Sequence, residues 1–298
     1  MNRRILVIGG SGFVGSRLVA LAASHGYDAA YTFNRAPLPF PIPAYPLDLN
    51  CDSDASLVAS LVAVQPDVVV HCAVPPLLSD LDLHTCVSVT SVQRLIRLAE
   101  DMALSFRLIY LSTNAVFSGD AGPYRETDVP NAHLRAGAYR AYGMARALGE
   151  QVALTWPDAL VARTAWVDGR TAAGDLSPRL AGLVRQLRRG QSVPRFTGRM
   201  ISPTLLDNLV AALYEAAAPT FDFRGMMHIA GAQRLSDYDY ARAVALHLGV
   251  DPDLVCAQRL PDHGLPRDLT LDVTHTQSLL QTRLLPMAEQ LASLAFSD

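Results

Sequence analysis

Residues 5–15 read ILVIGGSGFVG, a short apolar run that breaks into closely spaced glycines. Ile5, Leu6, Val7 and Ile8 lack any apolar/polar alternation, which predicts a strand buried on both faces, as in a parallel sheet. After Gly15 the segment SRLVALAASHG takes up helical spacing and stops at Gly26. A strand, a glycine turn and a helix N-terminus together make a pyrophosphate site. Backbone N–H groups and the positive end of the helix dipole face the anion, and the glycines let it approach. Gly10, Gly12 and Gly15 fit G-x-G-x-x-G, while Gly9, Gly12 and Gly15 fit G-x-x-G-x-x-G. Either reading predicts a dinucleotide held by Gly9, Gly12, Phe13, Val14 and Gly15. The competing reading is a tight turn with no ligand.

The alternation of strand and helix continues outward from this turn. Strands are expected near 29–33, 67–71, 108–112 and 160–167, and helices over 54–64, 85–103 and 140–155. The proline-rich stretch APLPFPIPAYP (36–46) cannot be helical. This pattern predicts an α/β protein, a doubly wound parallel sheet of Rossmann type with a smaller, interleaved α/β substrate lobe. Beyond residue 168 the rhythm loosens into expected helices at 176–189, 203–217, 236–248 and 286–295, with brief strands near 226–229, 255–259 and 269–272. The expected division is residues 1–167 as the dinucleotide-binding domain, with returns from about 200–230, and 168–199 with 231–298 as the substrate-binding lobe.

Composition narrows the function. A chain of 298 residues with 50% hydrophobic and 18% charged residues suits a soluble enzyme with a large core. The net charge of −3 makes no electrostatic case for nucleic acid or for an anionic membrane surface. Arg185, Arg188 and Arg189 lie at helical spacing and read as a solvated face. No apolar run approaches the ~18 residues of a membrane span. The two arginines before the first strand superficially resemble an export signal, but the apolar stretch after them is too short, so a cytoplasmic location is expected. Cys51, Cys72, Cys86 and Cys256 form no C-x-x-C pair and read as reduced thiols; His71 and Cys72 read as packing residues, and no metal is expected.

A second chemical signal is YRAYGMARALGE (139–150), in which Tyr142 and Arg146 stand four apart and share a helix face. A free tyrosine, with a pKa of about 10, is a poor acid–base group at neutral pH, and a neighbouring cation makes its hydroxyl a better proton relay. Ser112 and Thr113, in LSTNAVFSG (111–119), follow a buried strand and should emerge at the carboxyl edge of the sheet, where ligands of open α/β sheets bind. A hydroxyl there can hold a carbonyl oxygen while the tyrosine protonates it.

With these motifs in order, the chain resembles an extended short-chain dehydrogenase/reductase, specifically the dTDP-4-dehydrorhamnose reductase family. The resemblance rests on GGSGFVG, LDL (47–49), PDVVVHCA (66–73), LSTNAVFSG, PYRETD (123–128), YGMARALGE and RTAWVDG (163–169). It continues through SPTLLDNLVAAL (202–213), GMMHIAGAQRLSDYDYARAV (225–244) and PRDLTLD (266–272), and so spans nearly the whole chain. It implies Thr113 as the substrate-binding hydroxyl, Tyr142 as the catalytic acid and Arg146 at the position of the usual lysine. It further implies that Asp48 and Leu49 contact the adenine, that Ala73 lines the cofactor channel, and that Tyr124 and Glu126 border the sugar site.

Three departures stand out. Arg146 replaces lysine with a larger, planar cation; Ser88 falls where relatives commonly carry an asparagine; and VPNAHLRAGAYRA, between Pro130 and Tyr142, looks longer than usual. The region after the second expected strand, YTFNR, has no Asp or Glu to accept a ribose hydroxyl, whereas Arg35 can pair with a 2′-phosphate. NADP is therefore preferred, with NAD as the alternative. Arg195, Arg199 and Arg267 are candidates to reach a substrate diphosphate. The expected activity is reduction of a nucleotide-linked 4-keto-6-deoxysugar. The alternatives are a catalytically silent, NADP-binding regulatory or partner-binding homologue, and an epimerase or reductase of another carbonyl substrate. A homodimer is compatible with the chain.

Overall fold

A computed structural model describes residues 2–50, 53–135, 139–262, 264–294 and 296; Cys51 and part of the 130–142 stretch lie outside them. In chain order the elements are β1 (Arg3–Ile8), α1 (Phe13–Leu21), β2 (Tyr27–Phe33), β3 (Ala44–Pro46), α2 (Asp54–Val64), β4 (Val68–His71), α3 (Leu81–Thr85), α4 (Ser91–Asp101) and β5 (Arg107–Thr113). There follow α5 (Tyr139–Ala153), β6 (Ala159–Thr164), β7 (Val167–Asp168), α6 (Pro178–Arg188), β8 (Val193–Phe196), β9 (Met200–Ile201), β10 (Thr204–Leu205) and α7 (Leu206–Ala217). The chain ends in β11 (Gly225–His228), β12 (Leu235–Ser236), α8 (Asp237–His247), β13 (Val255–Gln258), α9 (Thr274–Leu279) and α10 (Met287–Ala292).

Seven strands form one parallel sheet in the order β11-β6-β5-β4-β1-β2-β3. The apolar runs are continuous because successive side chains feed opposite faces, and both faces are covered. Ile5, Val7, Val68, Val70, Ile109 and Leu111 enter the apolar cluster that includes Leu18 and Val19 of α1 and Leu209 and Leu213 of α7. Leu6, Ile8, Val69, Leu108 and Tyr110 enter the opposite cluster, with Leu57 and Leu61 of α2 and Leu95 of α4. Strand order reverses between β1 and β4, which opens a crevice at the carboxyl edge of the sheet where a ligand can bind.

The second half contributes to the sheet through β11 and builds a separate apolar cluster. In it Leu183 and Leu187 of α6, Val193 of β8, Val244 of α8, Val255 of β13 and Leu291 of α10 pack together. The pairs β8–β13, β9–β12 and β7–β10 tie this region together.

Several expected boundaries differ. The strand anticipated at 160–167 stops at Thr164, because Trp166 has φ +40 and turns the chain before β7 pairs with β10. The expected strand at 269–272 is a single bridge between Tyr124 and Leu271. The proline-rich stretch ends in the edge strand β3, where a missing N–H costs little. The long helix expected over 85–103 is α3 and α4 joined by a π-turn at Cys86–Thr90. No helix among the described residues is long and apolar enough to cross a membrane.

His71, at the end of β4, is fully buried. The Ser91 hydroxyl donates to the Val87 carbonyl at 2.6 Å, so it accepts from His71 Nε2–H at 2.9 Å and fixes that tautomer. Burial, with the Arg146 charge behind it, lowers the His71 pKa to about 3, and burial likewise takes His228 to about 4. The unfolded chain takes up these protons first, near pH 6.5. Their neutral forms therefore contribute stability that is lost as pH falls from about 6.5 toward those folded-state values. Urea midpoints should drop through that window, and the drop should be smaller in His71→Gln; identical slopes for the two proteins would refute the assignment.

Candidate active site

A cavity of about 1250 Å³ runs along the carboxyl edge of the sheet and out to the second apolar unit. Its volume exceeds what one drug-sized ligand needs, and its lining changes character along its length.

At the β1 end the turn leaves backbone exposed. Gly9 has φ +78, a conformation that L side chains avoid, and a Cβ there would stand 2.7 Å from Ala73 Cα. At Gly15 a Cβ would come within 2.4 Å of the Gly9 carbonyl oxygen. Gly12 is the N-cap of α1 and supplies no side-chain cap, so the first-turn N–H groups are left to an outside acceptor. Gly9, Gly12, Phe13, Val14, Gly15, Arg35, Asp48, Leu49 and Ala73 all line this end. The cradle fits a dinucleotide: small residues where the backbone is close, uncapped donors, and a guanidinium at Arg35 with no Asp or Glu in residues 31–35.

In the middle of the cavity stand Thr113, Tyr142 and Arg146. Thr113 is the last residue of β5, and its Oγ1 accepts from the Ala115 N–H at 3.1 Å. Tyr142 and Arg146 lie one turn apart on α5. The Arg146 guanidinium carbon is 5.8 Å from the Tyr142 ring centre and 5.3 Å from that of Tyr110. Arg146 is 1% exposed and donates from Nη2 to the Ala73 carbonyl at 2.6 Å, while its buried Nε and Nη1 have no hydrogen-bond partner among the described residues. A guanidinium remains charged in such surroundings. Burial, only partly opposed by that charge, pushes the neighbouring Cys72 thiol up to about 12, so it is no nucleophile. The ring of His84 packs 5.5 Å from that of Tyr142.

Two turns along α5 from Tyr142, Glu150 accepts from the Ser112 hydroxyl at 2.5 Å and from Arg163 Nε and Nη2 at 2.9 and 2.8 Å. Both ion-pair side chains are 2% exposed. This joins α5 to β5 and β6 beside Thr113.

The far end is lined by Trp166, Arg179, Arg199, Arg135 and Tyr139. The Arg179 and Arg199 guanidinium carbons lie 3.8 and 4.9 Å from the Trp166 ring centre. Of these five, sequence reasoning marked only Arg199. Trp166 carried a signal, since it sits in the RTAWVDG segment beside the sheet edge; the others carried none.

Four expected residues lie elsewhere. Tyr124 points inward: its hydroxyl accepts from the N–H groups of Gly119, Asp120 and Ala121, and its ring stacks on Phe117 at 4.0 Å. Glu126 accepts from the Thr276 hydroxyl at 3.0 Å. Arg195 faces a separate depression beside α6, with Asp237 at 3.9 Å. Arg267 has Asp262 at 3.7 Å and is not part of the cavity wall. Tyr124 and Glu126 brace the loop, and local carboxylates draw off the two arginines.

Comparison with known proteins agrees with this architecture. A dTDP-4-dehydrorhamnose reductase of Mycobacterium tuberculosis (strain CDC 1551 / Oshkosh) is 29% identical over 269 residues, covering 85% of this chain and 78% of that protein. A probable dTDP-4,6-dihydroxy-2-methyloxan-3-one 4-ketoreductase of Streptomyces antibioticus is 28% identical, covering 85% and 79%. The crystal structure of dTDP-4-dehydrorhamnose reductase from Bacillus anthracis strain Ames, in complex with NADP, superposes with a TM-score of 0.79 at 16% identity, covering 98% of this chain and 96% of that one. The family model of the RmlD substrate binding domain matches residues 3–294, and this chain belongs to that family.

Proposed function

We propose that this protein is an NADPH-dependent reductase of a nucleotide-linked 4-keto-6-deoxysugar, with NADH as a lesser alternative. The observation that carries the reading is the cavity itself, in which a dinucleotide cradle, a hydroxyl, a phenol and a buried cation follow one another along one wall. Names of relatives that reduce such sugars support it.

Gly9, Gly12, Phe13, Val14 and Gly15 would hold the cofactor pyrophosphate, Asp48 and Leu49 its adenosine end, and Arg35 its 2′-phosphate. When bound, the nicotinamide supplies the hydride. Thr113 positions the carbonyl oxygen of the substrate, and Tyr142 donates a proton to that oxygen. Arg146, which lines the cavity beside Tyr142, would face the ribose and keeps a fixed positive charge beside the phenol as its proton leaves. Alignment and charge placement are the contributions of the protein. Residues 168–199 and 231–298 would form the substrate lobe. The unpaired thiols of Cys72, Cys86 and Cys256 suit action in the cytoplasm.

The deciding assay is NADPH consumption with dTDP-4-keto-6-deoxyhexoses, with product analysis at C4. Tight NADPH binding without turnover across several such sugars would instead identify a silent binder. Arg35→Ala should weaken NADPH about 10-fold or more while leaving NADH nearly unchanged, since a charge-assisted pair to phosphate is lost. Equal losses for both cofactors would place the 2′-phosphate elsewhere.

A further inference from the structure

Arg146 is a buried cation that no carboxylate neutralises. Among the described residues it makes no ion pair, although Glu150 stands one turn further along α5; that carboxylate is spent on Arg163 and Ser112. The charge is felt around it. Burial lowers the pKa of both His71 and His84, and Arg146 adds to each shift. A guanidinium left unpaired in the interior is costly, so contacts other than an ion pair must hold it. The Ala73 carbonyl takes Nη2, and the cation otherwise lies against two aromatic rings.

The nearer ring belongs to Tyr110, centred 5.3 Å from the guanidinium carbon, against 5.8 Å for Tyr142. Tyr110 is fully buried on β5 and pairs in register with His71 on β4. Two contacts fix its side chain. The His71 ring packs 5.5 Å from it, and its hydroxyl donates to the Ser88 carbonyl of the π-turn at 3.1 Å. Gly149 leaves the slot for that hydroxyl. A Cβ there would stand 2.2 Å from the Tyr110 hydroxyl oxygen and 2.3 Å from the Ser88 carbonyl oxygen. Burial raises the Tyr110 pKa despite the Arg146 charge, so the ring is a neutral support rather than a counter-ion.

We propose that Tyr110 is a positioning residue of the reduction, whose ring holds the Arg146 guanidinium beside Tyr142 without cancelling its charge. A carboxylate in that place would grip the guanidinium fork more tightly and neutralise it. An aromatic face holds the cation through its quadrupole and brings no charge of its own. The positive charge then remains available to the Tyr142 oxygen as its proton moves to the substrate oxygen. Tyr110 does not line the cavity, so it acts through Arg146. The inference rests on the reductase reading of that cavity.

Two measurements on the full chain test it. With heavy-nitrogen labelling, the Arg146 Nε–H signal is identified by its loss in Arg146→Met. In the parent it should be shifted upfield by the rings and protected from exchange. Tyr110→Leu should move it toward the position of a free arginine and speed its exchange about 10-fold or more, whereas Tyr110→Phe keeps both features. A parent signal that is unshifted and exchanges freely would overturn the proposal, and this readout decides even if Tyr110→Leu does not fold. With a keto sugar that the parent reduces, Tyr110→Leu should lower kcat about 10-fold per folded molecule and leave KM within about 3-fold. Tyr110→Phe should recover most of that loss. In the Arg146→Met background Tyr110→Leu should cost nothing more, because the group it acts through is gone. An equal loss in both backgrounds, or a Tyr110→Phe as slow as Tyr110→Leu, would make Tyr110 a packing residue only. A ring-shifted, protected signal in a protein that reduces no keto sugar would keep the held cation and remove the reductase reading. Parental turnover in Tyr110→Leu would do the reverse.

Discussion

A Tyr142→Phe variant is expected to lose about 10²- to 10⁴-fold in kcat, the range by which a positioned acid assists proton transfer, while binding NADPH within about 3-fold of the parent. The substitution removes one oxygen and keeps the ring. Packing against His84 and the cation–ring contact with Arg146 therefore survive. The glycine cradle lies on β1 and α1 and shares no bond with the lost hydroxyl. A loss confined to kcat thus reports transition-state chemistry rather than a damaged fold. Thr113→Val should reduce kcat less, because it removes an orienting hydrogen bond and leaves the proton donor in place. Steady-state kinetics beside a direct NADPH titration separates the two effects. If Tyr142→Phe keeps more than a tenth of parental kcat, the phenol is not the acid.

The cofactor half of this site was legible in the sequence because it is local. Strand, turn and helix follow within residues 3–21, and each small residue is needed by a neighbour only a few positions away or across one strand pair. The sheet was legible for a related reason. A parallel strand covered on both faces is a short apolar run, and Val68, Val69 and Val70 divide between the two clusters as that picture requires. The substrate end was not legible. Arg135, Tyr139, Trp166, Arg179 and Arg199 come from four separated segments, and only the tertiary fold decides which arginine meets a carboxylate and which meets a cavity. The same blindness explains Tyr124, whose hydroxyl is consumed by three backbone amides that no spacing reveals. Hydrophobicity also hides a turn: nothing in the run 159–167 announces that Trp166 takes a positive φ and ends the strand. Such a conformation is costly for a bulky residue, and it persists here at the cavity wall, where a rigid aromatic face supports two guanidiniums.

The largest stability effect is expected at Glu150 rather than at any cavity residue. Its carboxylate is 2% exposed and satisfies Arg163, also 2% exposed, through two parallel bonds, with the Ser112 hydroxyl as a third donor. Glu150→Ala would strand a guanidinium in the interior beside the Phe117 ring, whose centre lies 4.9 Å from the Arg163 guanidinium carbon. Breaking one side of such a pair costs about 3–5 kcal/mol. That is a large share of the ~5–15 kcal/mol by which domains are usually stable. Glu150→Gln retains an acceptor for Ser112 but not the charge, and should fall between the parent and Glu150→Ala. The double variant Glu150→Leu, Arg163→Met removes both charges together and should recover much of the loss, since desolvation of the pair nearly cancels its attraction. Urea unfolding of the parent, Glu150→Leu, Arg163→Met and the double variant gives the coupling directly as a double-mutant cycle. A Glu150→Ala loss below about 1 kcal/mol would mean that water reaches Arg163 and the pair is not the brace the geometry indicates. Because Glu150 sits eight residues after Tyr142 on α5 and holds the residue before Thr113 on β5, the same bonds fix the phenol relative to the hydroxyl that must share its substrate oxygen. Glu150→Gln, stable enough to assay, should therefore lower kcat more than it raises KM, whereas a purely structural brace would leave kcat per folded molecule unchanged.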